Sequence, residues 1–253
     1  MSSEVDAKVW LSSGIVSQYL TGVSAAIPFK PEQIDVMARM VAAGLTERAE
    51  NQRFLDIGCG DGVLGAALLE RFSGSSGVLL DFSEPMLLAA REKLHAQASR
   101  LTFIQSDYGD AAWVTQVSEY APFDAIVSGF SIHHQPDERK RRVYSEIYDL
   151  LAPGGIFVNL EHVASRTPWG QTLFDECFID SLVKYHHRSE TGRTREQIAS
   201  EFYERDDKKA NILASVDDQC AWLRTIGFTD VDCYFKVFEL AVFGGRKAIV
   251  KTI

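Results

Sequence analysis

The chain has 253 residues, of which 46% are hydrophobic and 24% charged, so it can bury the core of one globular domain. Its net charge of −9 disfavours long-range attraction to nucleic acid or to an anionic membrane, and we expect neither partner. Four scattered cysteines and a first segment without a signal-peptide charge pattern predict a reducing, cytoplasmic setting, and no apolar run approaches the roughly 18 residues of a membrane span.

Residues 1–50 precede the first predicted strand, and we expect them to form an N-terminal helical segment. Pro31 is suited to the first turn of a helix there. The segment also carries the aromatic side chains Trp10, Tyr19 and Phe29. From these rings we predict a lid that folds over the ligand site.

Residues 51–161 alternate short apolar runs with helical stretches, which is the βαβ pattern of a parallel sheet covered on both faces. Ser83 is placed to cap the helix that begins at Glu84 and Pro85. The predicted strands are residues 54–57, 78–80, 101–104, 125–127 and 156–160.

Residues 162–215 are longer than one crossover helix requires, and we interpret them as an inserted helical cap. Apolar side chains at helical spacing, among them Phe174 and Phe178, either pack the cap helices together or line an apolar substrate chamber. Residues 216–253 follow as a last helix, which Gly227 ends, and a terminal β-hairpin.

The strongest motif is a glycine-rich turn directly after the first predicted strand, with Asp56 followed by Gly58, Cys59, Gly60 and Gly62. Glycine lets the backbone approach a ligand that a side chain would block. The segment resembles motif I of the class I S-adenosylmethionine-dependent methyltransferases. The resemblance implies that the loop passes under the amino-acid part of S-adenosylmethionine, with Asp56 nearby as an acidic partner.

A rival interpretation is dinucleotide binding, because Gly60, Gly62 and Gly65 also fit the GxGxxG fingerprint. In dinucleotide-binding proteins the first fingerprint glycine ends the strand, whereas here Asp56 and Gly58 precede it. An anionic Asp56 suits a cationic sulfonium ligand and would repel a pyrophosphate. The register therefore favours S-adenosylmethionine as the cofactor.

The second and third predicted strands each end near an acidic side chain. Asp81 lies where a carboxylate can accept hydrogen bonds from both ribose hydroxyls, and Phe82 and Met86 would contact the adenosine. Asp107 resembles the family position that binds the adenine amino group, with Tyr108 nearby. An aspartate at a strand end is also a common turn residue.

The fourth predicted strand leads through Ser128 and Gly129 to the pair His133 and His134. This segment resembles the family's motif IV, which faces the transferable methyl group, and the two small residues leave space for it. One histidine ring could pack against the cofactor while the other is solvated. Alternatively, one of them is a general base.

Four residues are candidates for catalysis. His133, His134 and Glu161 could each accept a proton from a hydroxyl or carbon acid, and Tyr19 belongs to the predicted lid. No HExxH or Cys/His framework accompanies them, so we predict no catalytic metal.

The order of the motifs also resembles the carboxy-S-adenosylmethionine synthase branch of the family. Where that branch carries an arginine for its extra carboxylate this chain has Trp222, and a cofactor-contacting asparagine of the branch falls on Gly129. An indole cannot replace a guanidinium, so the carboxylated cofactor is disfavoured.

The resemblance implies one domain over residues 1–253, a Rossmann-like three-layer α/β sandwich. Its sheet is expected to be seven-stranded and mostly parallel, with the last strand antiparallel, and to carry the helical cap. The expected function is methyl transfer to a small-molecule acceptor, and a homodimer is possible. The alternatives are a carboxy-S-adenosylmethionine synthase-like or tRNA-modifying enzyme, and a protein that binds S-adenosylmethionine without turnover.

Overall fold

The computed structural model describes residues 7–45 and 51–249. The parts of the predicted lid and hairpin in residues 1–6, 46–50 and 250–253 lie outside the described residues. The α-helices are α1 (Ser13–Gln18), α2 (Ser24–Ala26), α3 (Lys30–Leu45), α4 (Val63–Arg71), α5 (Glu84–Lys93), α6 (Trp113–Val117), α7 (Asp137–Leu150), α8 (Pro168–Arg188), α9 (Arg195–Glu204), α10 (Asp206–Lys209) and α11 (Val216–Ile226). The strands are β1 (Arg53–Ile57), β2 (Ser76–Asp81), β3 (Leu101–Gln105), β4 (Phe123–Gly129), β5 (Leu151–His162), β6 (Thr229–Val237) and β7 (Leu240–Arg246).

The seven strands form one sheet in the order β3-β2-β1-β4-β5-β7-β6. The pairs among β1 to β5 are parallel, whereas β7 runs antiparallel to both β5 and β6. The predicted fold class is therefore confirmed. Because β1 lies between β2 and β4, the loops after these three strands meet at one edge of the sheet, where open α/β sheets bind their ligands.

Alternate side chains of each strand fill two separate cores, because successive residues of a strand point to opposite faces. Leu55 and Ile126 belong to the core covered by α6, α7 and α11. Phe54 and Val127 belong to the core covered by α3, α4 and α5. The sheet is thus the middle layer of three, as the apolar runs of the sequence predict.

Residues 163–215 contain α8, α9 and α10, and the buried apolar residues of α8 and α9 form a cluster separate from the two cores of the sheet. Phe174, Phe178 and Phe202 form a third apolar cluster together with Ile27 and Leu240. Thr194 and Gln197 make a reciprocal capping box at the start of α9. Among the described helices, none is long and apolar enough to cross a membrane.

Candidate functional site

A cavity of about 890 Å³ lies at the carboxyl ends of β1, β2 and β4, beneath the N-terminal segment and the cap helices. Most of the predicted site residues line it: Tyr19, Gly58, Gly60, Asp81, Phe82, Met86, Asp107, Tyr108, Gly129, His133 and His134. The remaining predicted residues, Asp56, Cys59, Ser128 and Glu161, are buried behind that lining.

The turn after β1 places two glycines in the left-handed region, Gly58 at φ 63° and Gly60 at φ 53°. A side chain at Gly58 would collide with the side chain of Ser131. At Gly60 a Cβ would meet no atom of the described protein nearer than the Met86 sulfur, 3.9 Å away, so it would project into the cavity. The backbone of Gly60 is therefore the surface that a ligand can approach closely.

Asp81 ends β2 and is fixed on both of its carboxylate oxygens. Its Oδ2 accepts a 2.8 Å hydrogen bond from the Gly60 backbone N–H, and its Oδ1 accepts a 2.9 Å bond from that of Ser83. Burial raises the pKa of Asp81 to about 6, against the effect of these bonds. The group is therefore mainly ionised at neutral pH, and each oxygen keeps a second lone pair for a ligand hydroxyl.

Asp56 is fully buried behind the glycine turn. Its Oδ2 accepts a hydrogen bond from the Gly65 backbone N–H at 3.0 Å, which fixes the first turn of α4, while Oδ1 has no hydrogen-bond partner among the described residues. Burial raises its pKa to about 7. The structure thus gives Asp56 a position beneath the turn, and its contact with the cofactor stays a prediction.

Cys59 and Ser128 are also buried and hold the strand ends together. The Cys59 backbone N–H donates to the carbonyl of Leu80 at 3.0 Å, and the Ser128 hydroxyl donates to that of Ile57 at 2.8 Å. Burial raises the pKa of the Cys59 thiol, so it is a neutral packing group. A direct ligand contact of either side chain stays a prediction.

The apolar wall beside Asp81 is completed by the N-terminal segment. Trp10 is buried with Met86 and Val16, and Phe82 packs against this cluster. Tyr19 meets the Trp10 ring edge-on, with ring centroids 4.9 Å apart. The predicted lid residues Trp10 and Tyr19 therefore lie over the same cavity as Asp81, whereas Phe29 is exposed and contacts Phe235.

Asp107 and Tyr108 follow β3. Asp107 Oδ1 accepts a 2.7 Å hydrogen bond from the Gly109 backbone N–H, which is the local turn role that its position also suggested. Tyr108 is buried, and its hydroxyl lies 2.7 Å from that of Ser131. Both residues line the cavity, and a contact of Asp107 with adenine stays a prediction.

His133 and Glu161 form a buried pair at the other end of the cavity. Nδ1 of His133 donates a 2.5 Å hydrogen bond to Glu161 Oε1. Because that bond places the imidazole proton on Nδ1, the other nitrogen, Nε2, is the one that can accept a proton. Burial raises the pKa of Glu161 to about 7. This imidazole and carboxylate have the geometry of an oriented general base.

A buried polar network holds Glu161 from behind. Asn159 Nδ2 donates to Glu161 Oε2 at 3.2 Å and to the Tyr144 hydroxyl at 3.4 Å. The Tyr144 hydroxyl donates to Gln219 Oε1 at 2.5 Å. The network therefore connects α11, through α7 and β5, to the side chain that orients His133.

The two other histidines near the cavity are held by hydrogen bonds of their own. Nδ1 of His134 donates to the carbonyl of Ala210 at 3.3 Å. His162 Nε2 donates to Glu239 Oε2 at 2.8 Å, and its Nδ1 accepts from the Asn211 amide at 3.3 Å. Both nitrogens of His162 are thus engaged in hydrogen bonds.

These residues fit S-adenosylmethionine at the Asp81 end of the cavity. Gly60 exposes its backbone, Asp81 supplies an ionised carboxylate, and Met86 and Phe82 supply apolar surface. No group of three or more His, Cys, Asp or Glu within residues 7–45 and 51–249 is arranged to hold a metal ion. Trp222 stacks with Arg141 and lies outside the cavity lining.

Some lining and supporting residues were missed by the sequence interpretation. Ser131 approaches the glycine turn, Glu239 supports His162, and Arg205 and Lys209 reach the cavity from α10 and the residue before it. Ser131 follows Gly129 by two positions, and this closeness in sequence could have indicated that Ser131 also lies at the cavity. Nothing in the local pattern distinguishes Arg205 and Lys209 from other basic residues of the cap, because their position depends on how the cap docks.

Comparison with known proteins places this architecture in a family. A family model described as a methyltransferase domain matches residues 54–155. Demethylmenaquinone methyltransferase of Lactiplantibacillus plantarum is 30% identical over 175 residues, which cover 61% of this chain and 69% of that protein. The enzyme of the same name from Thermus thermophilus is 35% identical over 127 residues, 50% of this chain and 54% of the relative, so the match spans about half of its length.

A second group of relatives matches more of the chain at lower identity. Carboxy-S-adenosyl-L-methionine synthase of Wolinella succinogenes is 25% identical over 230 residues, 89% of this chain and 88% of that protein. Among solved structures, an O-methyltransferase family protein of Burkholderia thailandensis has the same fold, with a TM-score of 0.60 at 18% identity over 85% of this chain and 56% of that one. The chain belongs to the class I S-adenosylmethionine-dependent methyltransferase family.

Proposed function

We propose that the protein transfers a methyl group from S-adenosylmethionine to a small-molecule acceptor. The observation that carries this proposal is one continuous cavity that has the Asp81 carboxylate and the exposed Gly60 backbone at one end and the His133–Glu161 pair at the other. The first end suits a nucleoside with a cationic sulfonium, and the second suits removal of a proton from an acceptor.

The cofactor end would hold the nucleoside through its sugar and its adenine. Asp81 would accept hydrogen bonds from the ribose hydroxyls, while Phe82 and Met86 would cover the adenosine. Gly60 would leave its backbone open to the amino-acid portion, and Trp10 and Tyr19 would exclude water from above. When bound, S-adenosylmethionine supplies a methyl group that its sulfonium charge has already activated.

The remaining task of the protein is to aim the acceptor and take its proton. Near-attack positioning is worth on the order of 7 to 11 kcal/mol, so the chamber formed by the cap and the N-terminal segment contributes most by orientation. His133 Nε2 would accept the proton of the acceptor, and Glu161 would stabilise the imidazolium. The bound cofactor would supply the methyl group and leave as S-adenosylhomocysteine.

A carboxy-S-adenosylmethionine synthase-like activity is the second candidate, favoured by the length over which the relative from W. succinogenes matches. Against it stands Trp222, which stacks with Arg141 away from the cavity, where that branch carries an arginine. A tRNA-modifying role, a binding role without turnover, the homodimer and the cytoplasmic setting stay predictions.

The test is native mass spectrometry of the purified protein, followed by calorimetric titration with S-adenosylhomocysteine and with NAD. We expect a bound mass equal to S-adenosylmethionine or its product, and binding of S-adenosylhomocysteine alone. Incubation with methyl-labelled S-adenosylmethionine, a metabolite extract and tRNA should then label small molecules, whereas labelling of the tRNA would favour the tRNA-modifying role. Binding of NAD without S-adenosylhomocysteine would refute the proposal.

A further inference from the structure

Acidic and basic side chains lie in different parts of the cavity lining. The acidic ones, Asp81 and Asp107, follow β2 and β3 on one side of β1. The basic ones follow β4 and β5 on the other side or come from the cap: His133, His134, His162, Arg205 and Lys209. The carboxylates of Glu161 and Glu239 lie behind histidines and are not part of the lining. The acceptor half of the cavity therefore presents only basic groups among its described charged residues.

The wall between these groups is aromatic and apolar. Phe174 and Phe178 line the cavity with their rings nearly perpendicular and their centroids 5.8 Å apart. The His162 ring lies 5.0 Å from that of Phe174, and Ile27 and Leu240 complete this surface. Such a wall favours a planar ring over a flexible chain, because aromatic rings gain from edge and offset contacts.

The residues after α10 are tied directly to the histidines. The backbone N–H of Ile212 donates to the carbonyl of His133 at 2.9 Å, and the carbonyl of Ala210 accepts from His134. Asn211 donates to His162. These bonds hold the end of α10 close to His133. Lys209 and Arg205 therefore lie at the cavity.

Lys208, which stands between these two cations in the sequence, pairs at 2.9 Å with the largely buried carboxylate of Asp175 and is not part of the cavity lining. Among the described residues, Lys209 makes contacts of 3.6 Å with Glu204 and Asp206. Their carboxylates are exposed, and pairs of that kind contribute little. The Arg205 guanidinium lies within 6 Å of the Phe178 and Phe202 rings, at the edge of the aromatic wall.

From this separation of charge we propose that the methyl acceptor is an aromatic hydroxy acid. Its ring lies against Phe174 and Phe178, its hydroxyl faces His133, and its carboxylate binds Arg205 and Lys209. A bidentate guanidinium–carboxylate pair suits this role, because it fixes orientation as well as charge. The inference rests on the proposed function and adds the substrate class to it.

Calorimetry with matched probes tests the inference without a known substrate. The probes are 4-hydroxybenzoate, 4-hydroxyphenylacetate and 4-hydroxycinnamate, which differ in span, and the neutral amide of each, all titrated into protein saturated with S-adenosylhomocysteine. We expect at least one acid to bind tenfold or more tightly than its amide. In the double variant R205Q/K209Q that preference should fall to within twofold. The double variant K184Q/R188Q changes two exposed charges on α8 and should keep it.

The titration of S-adenosylhomocysteine itself separates the two proposals and shows that each variant is folded. If the wild type binds S-adenosylhomocysteine but shows no acid preference for any probe, the acceptor class is wrong and the methyltransferase proposal stands. A preference that survives in R205Q/K209Q would also overturn it, as would a loss of S-adenosylhomocysteine affinity in that variant, because these cations would then serve the cofactor. Absence of S-adenosylhomocysteine binding in the wild type refutes both.

Discussion

The hydroxyl of Ser83 donates a 2.6 Å hydrogen bond to the backbone carbonyl of Trp10, joining the N-terminal segment to the loop that follows Asp81. The same hydroxyl oxygen accepts from the backbone N–H of Met86 at 3.4 Å and so caps α5. One side chain thus fixes both the helix beside the cofactor end of the cavity and the segment above it. The position of this segment is therefore coupled to the residues expected to hold the nucleoside.

Replacing Trp10 by alanine should weaken binding of S-adenosylhomocysteine about tenfold. The change removes a ring that is buried against Met86 and Val16 and pairs edge-on with Tyr19, contacts worth about 1.4 kcal/mol together. Calorimetric titration measures the loss. Trp169 is 73% exposed at the start of α8, and W169A is the matched control that should bind normally. Equal affinity in W10A and the wild type would contradict the lid.

Replacing Asp81 by alanine should weaken binding of S-adenosylhomocysteine by about a hundredfold. Two hydrogen bonds to an ionised carboxylate contribute about 3 kcal/mol together, and the Gly60 N–H also loses its acceptor. The exposed residue Asp35 provides the control D35A, since it pairs with Arg39 on the surface of α3. Unchanged affinity in D81A, with normal folding by circular dichroism, would remove the main support for the site.

The sheet could be predicted from the sequence because its strands are buried on both faces and therefore read as continuous apolar runs. The exact ends of the strands could not be predicted. The strand predicted over 156–160 extends to Leu151–His162, because a register shift between Phe123 and Ala125 lets β5 pair with β4 on both sides of Pro153. In the last hairpin, β6 runs over Thr229–Val237 and pairs with β7 with two register shifts that the apolar pattern does not indicate.

The candidate site was predictable where it depends on local sequence, as in the turn at Gly58 and Gly60 or the strand-end residue Asp81. It was not predictable where distant segments meet. Glu161 follows His133 by 28 residues and Glu239 follows His162 by 77, so only the sheet order brings each pair together. The packing likewise decides which histidine donates from Nδ1 to a carboxylate, so the sequence alone could not single out His133.

Replacing Asp56 by asparagine should flatten the pH dependence of stability. The pKa of Asp56 in the folded protein, about 7, lies above the ordinary value of 3.8 for an aspartate, so the folded state binds the proton more tightly. Its contribution to stability is complete below pH 3.8 and is lost as the pH rises through about 7. We therefore expect the melting temperature of the wild type to fall, relative to that of D56N, between pH 5 and 8.

The control for D56N is D35N, which removes an exposed carboxylate. A difference in melting temperature that stays constant with pH would contradict the buried titration of Asp56. Calorimetry on the same variant addresses its second role: a loss of S-adenosylhomocysteine affinity in D56N would support the predicted interaction with the cofactor.

Replacing Glu161 by glutamine should abolish the short hydrogen bond to His133. In the wild type, a 2.5 Å bond to a carboxylate should place the Nδ1 proton far downfield in the ¹H spectrum of protein labelled with ¹⁵N-histidine. We expect this resonance to disappear in E161Q and to persist in E239Q, which alters the equivalent pair at His162. Its loss in E239Q instead would assign the oriented imidazole to His162.

Replacing Tyr144 by phenylalanine should destabilise the protein by about 2 kcal/mol, since it leaves Gln219 Oε1 without its donor and Asn159 without one acceptor in a fully buried site. For a chain of this length that corresponds to roughly 4–8 °C in melting temperature. Y234F removes a hydroxyl from a half-exposed ring and should change it by less than about 2 °C. If the network also positions Glu161, the downfield His133 proton should broaden or shift in Y144F, and an unchanged resonance would limit Tyr144 to a role in stability.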